Sequence, residues 1–379
     1  MFSIKGKTTR DLPPLADGLV PVKNGIFDLN SNALMDFDPQ NFIINEPFNC
    51  CYDPTAECTL FDKTLKEILP EQSDRTVFQE FCGYLLFNNC SLGKALMLIG
   101  YGANGKSTLL RIIMELINPS NISTLTLQEL SNNRFAAAQL FGKIGNMNHE
   151  LPKGALKDTS VFKNLVTGEL ITAEEKFKTP FQFPNVAKQI YACNNPPRSP
   201  DLSDGFFRRW IFIVFPQKFS ADDPNTDPYI ADKIIGSKSE MAGIFNWMLK
   251  GYSRLIKYGK FSTNKTTRDM RNYYIMLSDP ARAFADAYLR SKIGAKLSFN
   301  EIHKKYQSFC KKHKLPVVSK TMLGKTIKDV FGCCSESVRI KDKVSKVYMN
   351  LAFINEDEIE NTSDQVIYEE KTAIQEVLM

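Results

Sequence analysis

Short apolar runs separated by amphipathic stretches organise this chain. Up to about residue 55 the apolar pieces are brief, as in NGIFDL and NFIIN, and sit among Pro, Asn and Asp. They predict turns and short strands, with Asn24-Gly25 a strong turn dipeptide. Residues 59–69 read as a helix, and over 74–87 Phe78, Phe81, Cys82, Leu85 and Leu86 recur at helical spacing. After Gly93, ALMLIG predicts a buried strand and KSTLLRIIMELI the helix that follows it. Three more strands are expected at KIGNMN, AKQIYACN and RWIFIVF, and a long helical region over 231–258. Strands alternating with helices argue for an α/β sheet. Past an expected linker near Ser278-Asp279-Pro280, ARAFADAYLRS, FNEIHKKYQSFCKKHK and SKTMLGKTIKDVF predict three helices. SESVRIKD and VSKVYMNLAF predict a hairpin, completing the pattern of a winged helix. There is no internal repeat and no low-complexity tract.

Composition narrows the class. Hydrophobic residues make up 43% of 379, enough for packed cores, yet no apolar run approaches the ~18 residues that cross a bilayer. The N-terminal MFSIKGKTTRDLPPL lacks the apolar segment of a secretory signal. Nine cysteines, two pairs of them adjacent and none in CxxC spacing, point to reduced thiols and a cytoplasmic setting. The net charge is only +6, but residues 291–350 carry 14 Lys/Arg against 4 Asp/Glu, a local net of +10. Residues 351–379 carry 8 acids against one Lys. A basic block before an acidic tail fits a polyanionic partner; a merely solvated surface is the plainer alternative.

The candidate chemistry starts at Met97–Leu110, MLIGYGANGKSTLL. Gly100-x4-Gly105-Lys106-Ser107 has the phosphate-loop pattern, with a strand before it and a helix after. Loop residues Gly100, Gly102, Ala103, Asn104, Gly105, Lys106, Ser107 and Thr108 are candidates to hold a nucleotide. Backbone N–H groups and the positive end of the helix dipole would face its phosphates. Lys106 would reach the β- and γ-phosphates and Ser107 would ligate Mg²⁺. Glu150, after KIGNMN, is the natural second acid for Mg²⁺ and water, although an ordinary exposed Glu would look the same. Asn194 ends the strand QIYACN and suits a water-positioning or γ-phosphate-sensing amide; turn asparagines are also common. Arg208 and Arg209 open another strand, where an arginine serves a neighbouring γ-phosphate or simply forms a surface ion pair. An NKxD motif is lacking, which argues against a GTPase. Cys310 and His313 are three apart, but adjacent Cys333-Cys334 is poor zinc spacing.

In this order and spacing the motifs resemble superfamily 3 helicases, in particular the helicase part of phage, plasmid and poxvirus-type primase-helicases. The resemblance covers most of the chain. It implies an AAA+-like P-loop ATPase core (76–278) after a small N-terminal domain (1–75), a C-terminal winged-helix domain (279–355), and an acidic tail (356–379). Gly100, Gly105, Lys106 and Ser107 look like its Walker A motif and Glu150 like its Walker B acid, with His149 where many relatives have a second acid. Asn194 is similar to its sensor asparagine. Arg209, seven residues before Pro216, has the spacing of its arginine finger, with Arg208 as the alternative. LVTGELITAEEKFKTPFQF is similar to its B′ hairpin, which places Lys176, Phe177 and Lys178 at a tip suited to single-stranded DNA: lysines for phosphates, an aromatic for a base. Lys320, Lys325 and Lys328 fall on the third helix of the winged domain, where they contact duplex DNA or pack against the motor.

What the resemblance implies is an ATP- and Mg²⁺-dependent DNA helicase of a mobile genetic element in a bacterial or archaeal host, or virus-encoded. It would form a homo-oligomer, as a hexamer, travel 3′→5′ on single-stranded and forked DNA, and make no use of a membrane. Relatives often carry a primase-polymerase domain before this part, so either a separate primase or polymerase is a partner or this chain is a piece of a longer protein. Two alternatives stay open: a ring that loads or remodels replication proteins, and an initiator that binds DNA without processive unwinding.

Overall fold

The computed structural model describes residues 18–37, 45–152, 154–220, 222–224, 226–340 and 343–355; the expected acidic tail lies outside them. The described residues fall into two compact units that meet in sequence at Thr266 and Thr267.

The first unit opens with an antiparallel meander of β1 (Leu19–Val22), β2 (Gly25–Asp28) and β3 (Ala33–Met35). The expected turn joins β1 to β2, and the Asn24 side chain clasps Tyr52 through two hydrogen bonds of 2.8 and 2.9 Å. Helices α1 (Thr59–Ile68) and α2 (Gln72–Tyr84) follow. The boundary expected at residue 75 falls inside one continuous core. That core runs from Val20, Phe27 and Phe48 through Phe61 and Phe78 to the strands and helices downstream.

Those later elements are β4 (Ala95–Ile99), α3 (Lys106–Ile117), β5 (Ile122–Ser123), α4 (Leu127–Asn132), β6 (Gly145–Asn148), α5 (Ser160–Thr167), β7 (Leu170–Ala173), β8 (Phe181–Pro184), β9 (Lys188–Cys193), α6 (Asp204–Phe207) and β10 (Trp210–Val214). Five strands form a parallel sheet in the order β10-β4-β9-β6-β5, while β7 and β8 form a separate antiparallel hairpin. Every residue of β4 and β9 is buried, as expected of parallel strands covered on both faces.

The long helical region is two helices, α7 (Ile230–Gly236) and α8 (Lys238–Tyr258). Ser237 breaks them, its hydroxyl accepting from Glu240 N–H as an N-cap. Helices α2 and α8 cross closely. A Cβ on Gly83 would lie 2.2 Å from the Tyr252 nitrogen, and one on Gly251 would lie 2.1 Å from the Gln79 carbonyl oxygen. Beside that crossing Glu80, only 1% exposed, pairs with Arg254 at 3.1 Å and accepts from the Ser262 N–H and hydroxyl.

The second unit holds α9 (Thr267–Ser278), α10 (Pro280–Tyr288), β11 (Leu289–Ser298), α11 (Phe299–Lys312), α12 (Lys320–Phe331), β12 (Ser335–Ile340) and β13 (Lys343–Phe353). The expected linker at 278–280 is a helix junction in which Asp279 caps α10. The three helices and the β12–β13 hairpin fall where the hydrophobic pattern put them. A third strand, β11, pairs with β13 in a sheet of order β11-β13-β12. Its first residues had read as the end of a helix; that helix stops at Tyr288, and Leu289 pairs with Phe353 instead.

Candidate functional site

Because the sheet is parallel, all five strands deliver their carboxyl ends to one edge, where ligands of open α/β sheets bind. The central strand β4 ends at Ile99, paired with Cys193 of β9 on one side and Val214 of β10 on the other. Gly100 N–H continues the ladder to the Cys193 carbonyl at 3.2 Å. The next residue on β9 is therefore Asn194. One strand further out, Asn148 of β6 pairs with Tyr191, and Leu151 N–H reaches the Ala192 carbonyl at 2.9 Å. His149 and Glu150 are thereby held at the same edge. The fold brings the loop, Glu150 and Asn194 together from three adjacent strands.

The loop is a strained cradle. Ala103 (φ 56°) and Gly105 (φ 84°) are both left-handed, a conformation that costs a non-glycine residue roughly 1–2 kcal/mol. A Cβ at Gly105 would sit 2.6 Å from the Ile68 side chain, and one at Gly100 would sit 2.1 Å from Asn104 Nδ2. Gly102 is different: a Cβ there meets nothing within 4 Å, so internal packing does not call for glycine at that position. Lys106, 6% exposed, donates to the Gly100 carbonyl and, at 3.0 Å, to Asn104 Oδ1. Burial holds its pKa below the usual lysine range, partly offset by Cys193 and Glu150. Burial pushes the Cys193 thiol up to about 12. Asn104 is 3% exposed, yet its Nδ2 has no partner among the described residues. A buried donor without an acceptor fits an anionic oxygen brought by a ligand. Ser107 is exposed and Thr108 half-buried at the start of α3.

Glu150 is exposed, and its N–H donates to Asn148 Oδ1 at 3.1 Å. The His149 pKa is lowered by burial, so at neutral pH it adds no charge beside Glu150. Ser107 and Glu150 supply hard oxygen donors suited to a small divalent cation that keeps phosphate and water in its remaining positions. Among the described residues, no group of three or more His, Cys, Asp and Glu side chains is placed to hold a metal ion.

Sequence reading missed the buried network that fixes β6. Asn146 Oδ1 accepts from Ser123 Oγ (2.7 Å) and Leu125 N–H (2.8 Å), and its amide donates to the Leu125 carbonyl and Gln189 Oε1, both at 3.0 Å. These bonds tie β5, β6 and β9 together three residues before His149. Asn146 and Asn148 on either side of Met147 in the expected strand KIGNMN were the available signal.

Arg208 and Arg209 lie at the other end of the sheet. Trp210, directly after them, pairs with Ala95 at the start of β4. A five-residue strand at about 3.3 Å per residue separates them from Gly100 by roughly 17 Å. Arg209 donates to the Gly205 carbonyl, and its buried Nε has no partner among the described residues. Its pKa is lowered by burial first and Arg208 second, opposed by Glu169 and Asp201. Arg208 is exposed, and its carbonyl accepts from Lys94. The structure thus does not bring either arginine to the phosphate loop of the same chain.

The β7–β8 hairpin rests on its own core of Leu130, Leu140, Leu165, Ile171 and Phe183. At its tip Phe177 has a left-handed backbone (φ 64°) and is fully exposed. Lys178 pairs with Glu175, while Lys176 is exposed. In the second unit, Lys320, Lys325 and Lys328 are all exposed on α12. No helix among the described residues is long and apolar enough to cross a membrane.

The profile of a family of unknown function, DUF5906, matches residues 98–209, from inside β4 to the arginine pair. Among solved structures, the apo C-terminal region of NrS-1 aligns over 89% of this chain and 83% of its own, with 10% identity and a TM-score of 0.43. A JCV helicase bound to an acetamide compound aligns over 56% and 62%, with 13% identity and a TM-score of 0.32. A protein of Acanthamoeba polyphaga mimivirus, named "Putative helicase L207/L206", is 29% identical over 215 residues, which is 53% of this chain and 22% of that protein. Over about half its length, then, this chain is similar to a viral protein named as a helicase, and it matches about a fifth of that protein.

Proposed function

We propose that this chain is the ATP-driven motor of a DNA helicase that serves replication of a phage, plasmid or other mobile element. The observation that carries the proposal is the meeting at one sheet edge of Glu150, Asn194 and the left-handed loop that opens α3 at Lys106. Ser107 and Glu150 would hold Mg²⁺, which would supply positive charge to neutralise the nucleotide's phosphates. Lys106 would exchange the Gly100 and Asn104 oxygens for phosphate oxygens, and the orphan Asn104 amide would gain an acceptor. Glu150 would orient and deprotonate the attacking water, with Asn194 fixing its approach. Arg209, remote from its own loop, would serve the nucleotide of a neighbouring subunit. The tip lysines Lys176 and Lys178 would hold the phosphates of single-stranded DNA, with Phe177 against a base. The superfamily 3 resemblance adds a six-membered ring, the AAA+-like and winged-helix domain types, and 3′→5′ travel to this proposal.

The test is ATP turnover together with strand separation on a forked substrate. Wild type is expected to do both, Lys106→Ala neither, and Glu150→Gln to bind nucleotide without turnover. Turnover that survives Lys106→Ala would overturn the proposal. The exposed lysine row on α12 favours a second reading, an initiator or loader that grips duplex DNA. Robust turnover without strand separation would move the account there.

A further inference from the structure

Strand β11 is interrupted. Ser291 pairs with Leu351 and Lys296 with Met349, so four residues, Lys292-Ile293-Gly294-Ala295, stand opposite Asn350 alone. The excursion is anchored. Gly294 is left-handed (φ 77°), and its N–H donates to Asn350 Oδ1 at 2.9 Å, Asn350 being left-handed as well (φ 57°). At the tip Ile293 is 96% exposed. Lys292 and Lys296 flank it, both exposed and outside every ion pair seen among the described residues.

Bulges and lysines on an edge strand are a common defence against edge-to-edge association. That accounts for Lys292 and Lys296 but not for the isoleucine, which such a defence would replace with a polar residue. A fully exposed apolar side chain at a tip flanked by exposed lysines is also found at Phe177, between Lys176 and Lys178, although there Lys178 pairs with Glu175. The ends of the excursion sit opposite residues two apart on β13, about 7 Å, close to two base steps of ~3.4 Å along one strand. The surrounding segment, 291–350, carries the local net of +10.

We infer that the β11 excursion is a second nucleic-acid contact, in which Lys292 and Lys296 hold phosphates of duplex DNA and Ile293 wedges against the base-pair edges between them. Apolar wedges of this kind partly unstack a step while cations hold the backbone. The inference rests on the nucleic-acid reading above and goes beyond it by giving the second unit a duplex contact away from α12.

The experiment is fluorescence anisotropy of full-length protein on a labelled duplex and a labelled single strand, over a series of salt concentrations. Lys292→Gln/Lys296→Gln is expected to weaken duplex binding and lower the slope of log K against log salt by about 1.8, two phosphates at ~0.9 each. Ile293→Ser is expected to weaken it about tenfold, the factor that partial burial of an isoleucine supplies, with the slope unchanged. Single-strand binding and DNA-free ATP turnover should stay at wild-type levels in both variants. Wild-type duplex affinity and slope in both variants would overturn the inference and leave the motor intact. If wild type binds neither DNA but does bind phosphatidylserine vesicles, both readings fall.

Discussion

The position of Arg209 makes the strongest demand on the account. From its own phosphate loop it is separated by the length of β4, roughly 17 Å, and its guanidinium is tied to the Gly205 carbonyl at the far edge. It therefore cannot act on the nucleotide of its own chain. If it acts at all, it acts across a subunit boundary, and every site is built from two chains. Removing such an arginine costs about 10³–10⁵ in turnover, so Arg209→Ala should be close to inactive while still binding nucleotide. Lys106→Ala should be inactive for the opposite reason, with a sound arginine and a dead loop. Mixed in equal amounts and allowed to reassemble, the two variants place a good loop beside a good arginine at about a quarter of the boundaries of a head-to-tail ring. The assay is steady-state ATP turnover of each variant alone and of the mixture. Activity of the mixture near a quarter of wild type is expected. A mixture no faster than its components, or an Arg209→Ala protein with wild-type turnover, would refute the reasoning.

Three further outcomes are expected. Gly251→Ala places a Cβ 2.1 Å from the Gln79 carbonyl oxygen and should cost about 1–3 kcal/mol through overpacking; an unchanged Tm in a thermal melt would count against the close helix crossing. Lys188, 1% exposed, donates to the Phe87 carbonyl, and burial brings its pKa down to about 8. With the folded pKa below the unfolded one, the unfolded chain binds more protons in between, so the contribution of Lys188 to stability rises as pH climbs from about 8 to about 10.4. The gain is on the order of 3 kcal/mol and should vanish in Lys188→Met; denaturant melts giving both proteins the same slope would exclude it. Phe177→Ala removes a fully exposed ring and should leave Tm untouched while weakening single-strand binding by about 1–3 kcal/mol. A shifted Tm with unaltered DNA affinity would make the ring structural.

What the sequence disclosed was what local pattern encodes. The run ALMLIG before GKST reads as a strand feeding a helix, and the structure has β4 and α3 there. Asn194 follows an apolar run and Glu150 the expected strand KIGNMN, so their place at strand ends was visible before the sheet was. Their convergence was not, because strand order is a property of long-range pairing. β5 has only two residues, too few for any periodicity, and the Asn146 network that aligns it joins positions 23 and 43 apart. The strand β11 was hidden behind LRS, which extends the helical pattern of α10 until Leu289 finds its partner on β13. The N-terminal strands looked like a domain of their own because their partner Phe245 lies more than two hundred residues away, where its ring meets Phe27 and Phe48 edge-on.

The central claim is that the loop at the carboxyl edge drives movement along DNA through the β7–β8 hairpin. The most direct measurement is ATP turnover with and without single-stranded DNA, in wild type and in Lys176→Ala/Lys178→Ala. The account predicts turnover that DNA stimulates in wild type, and the same basal turnover, deaf to DNA, in the double variant. Turnover in wild type that ignores DNA, or a double variant stimulated as strongly as wild type, would contradict it.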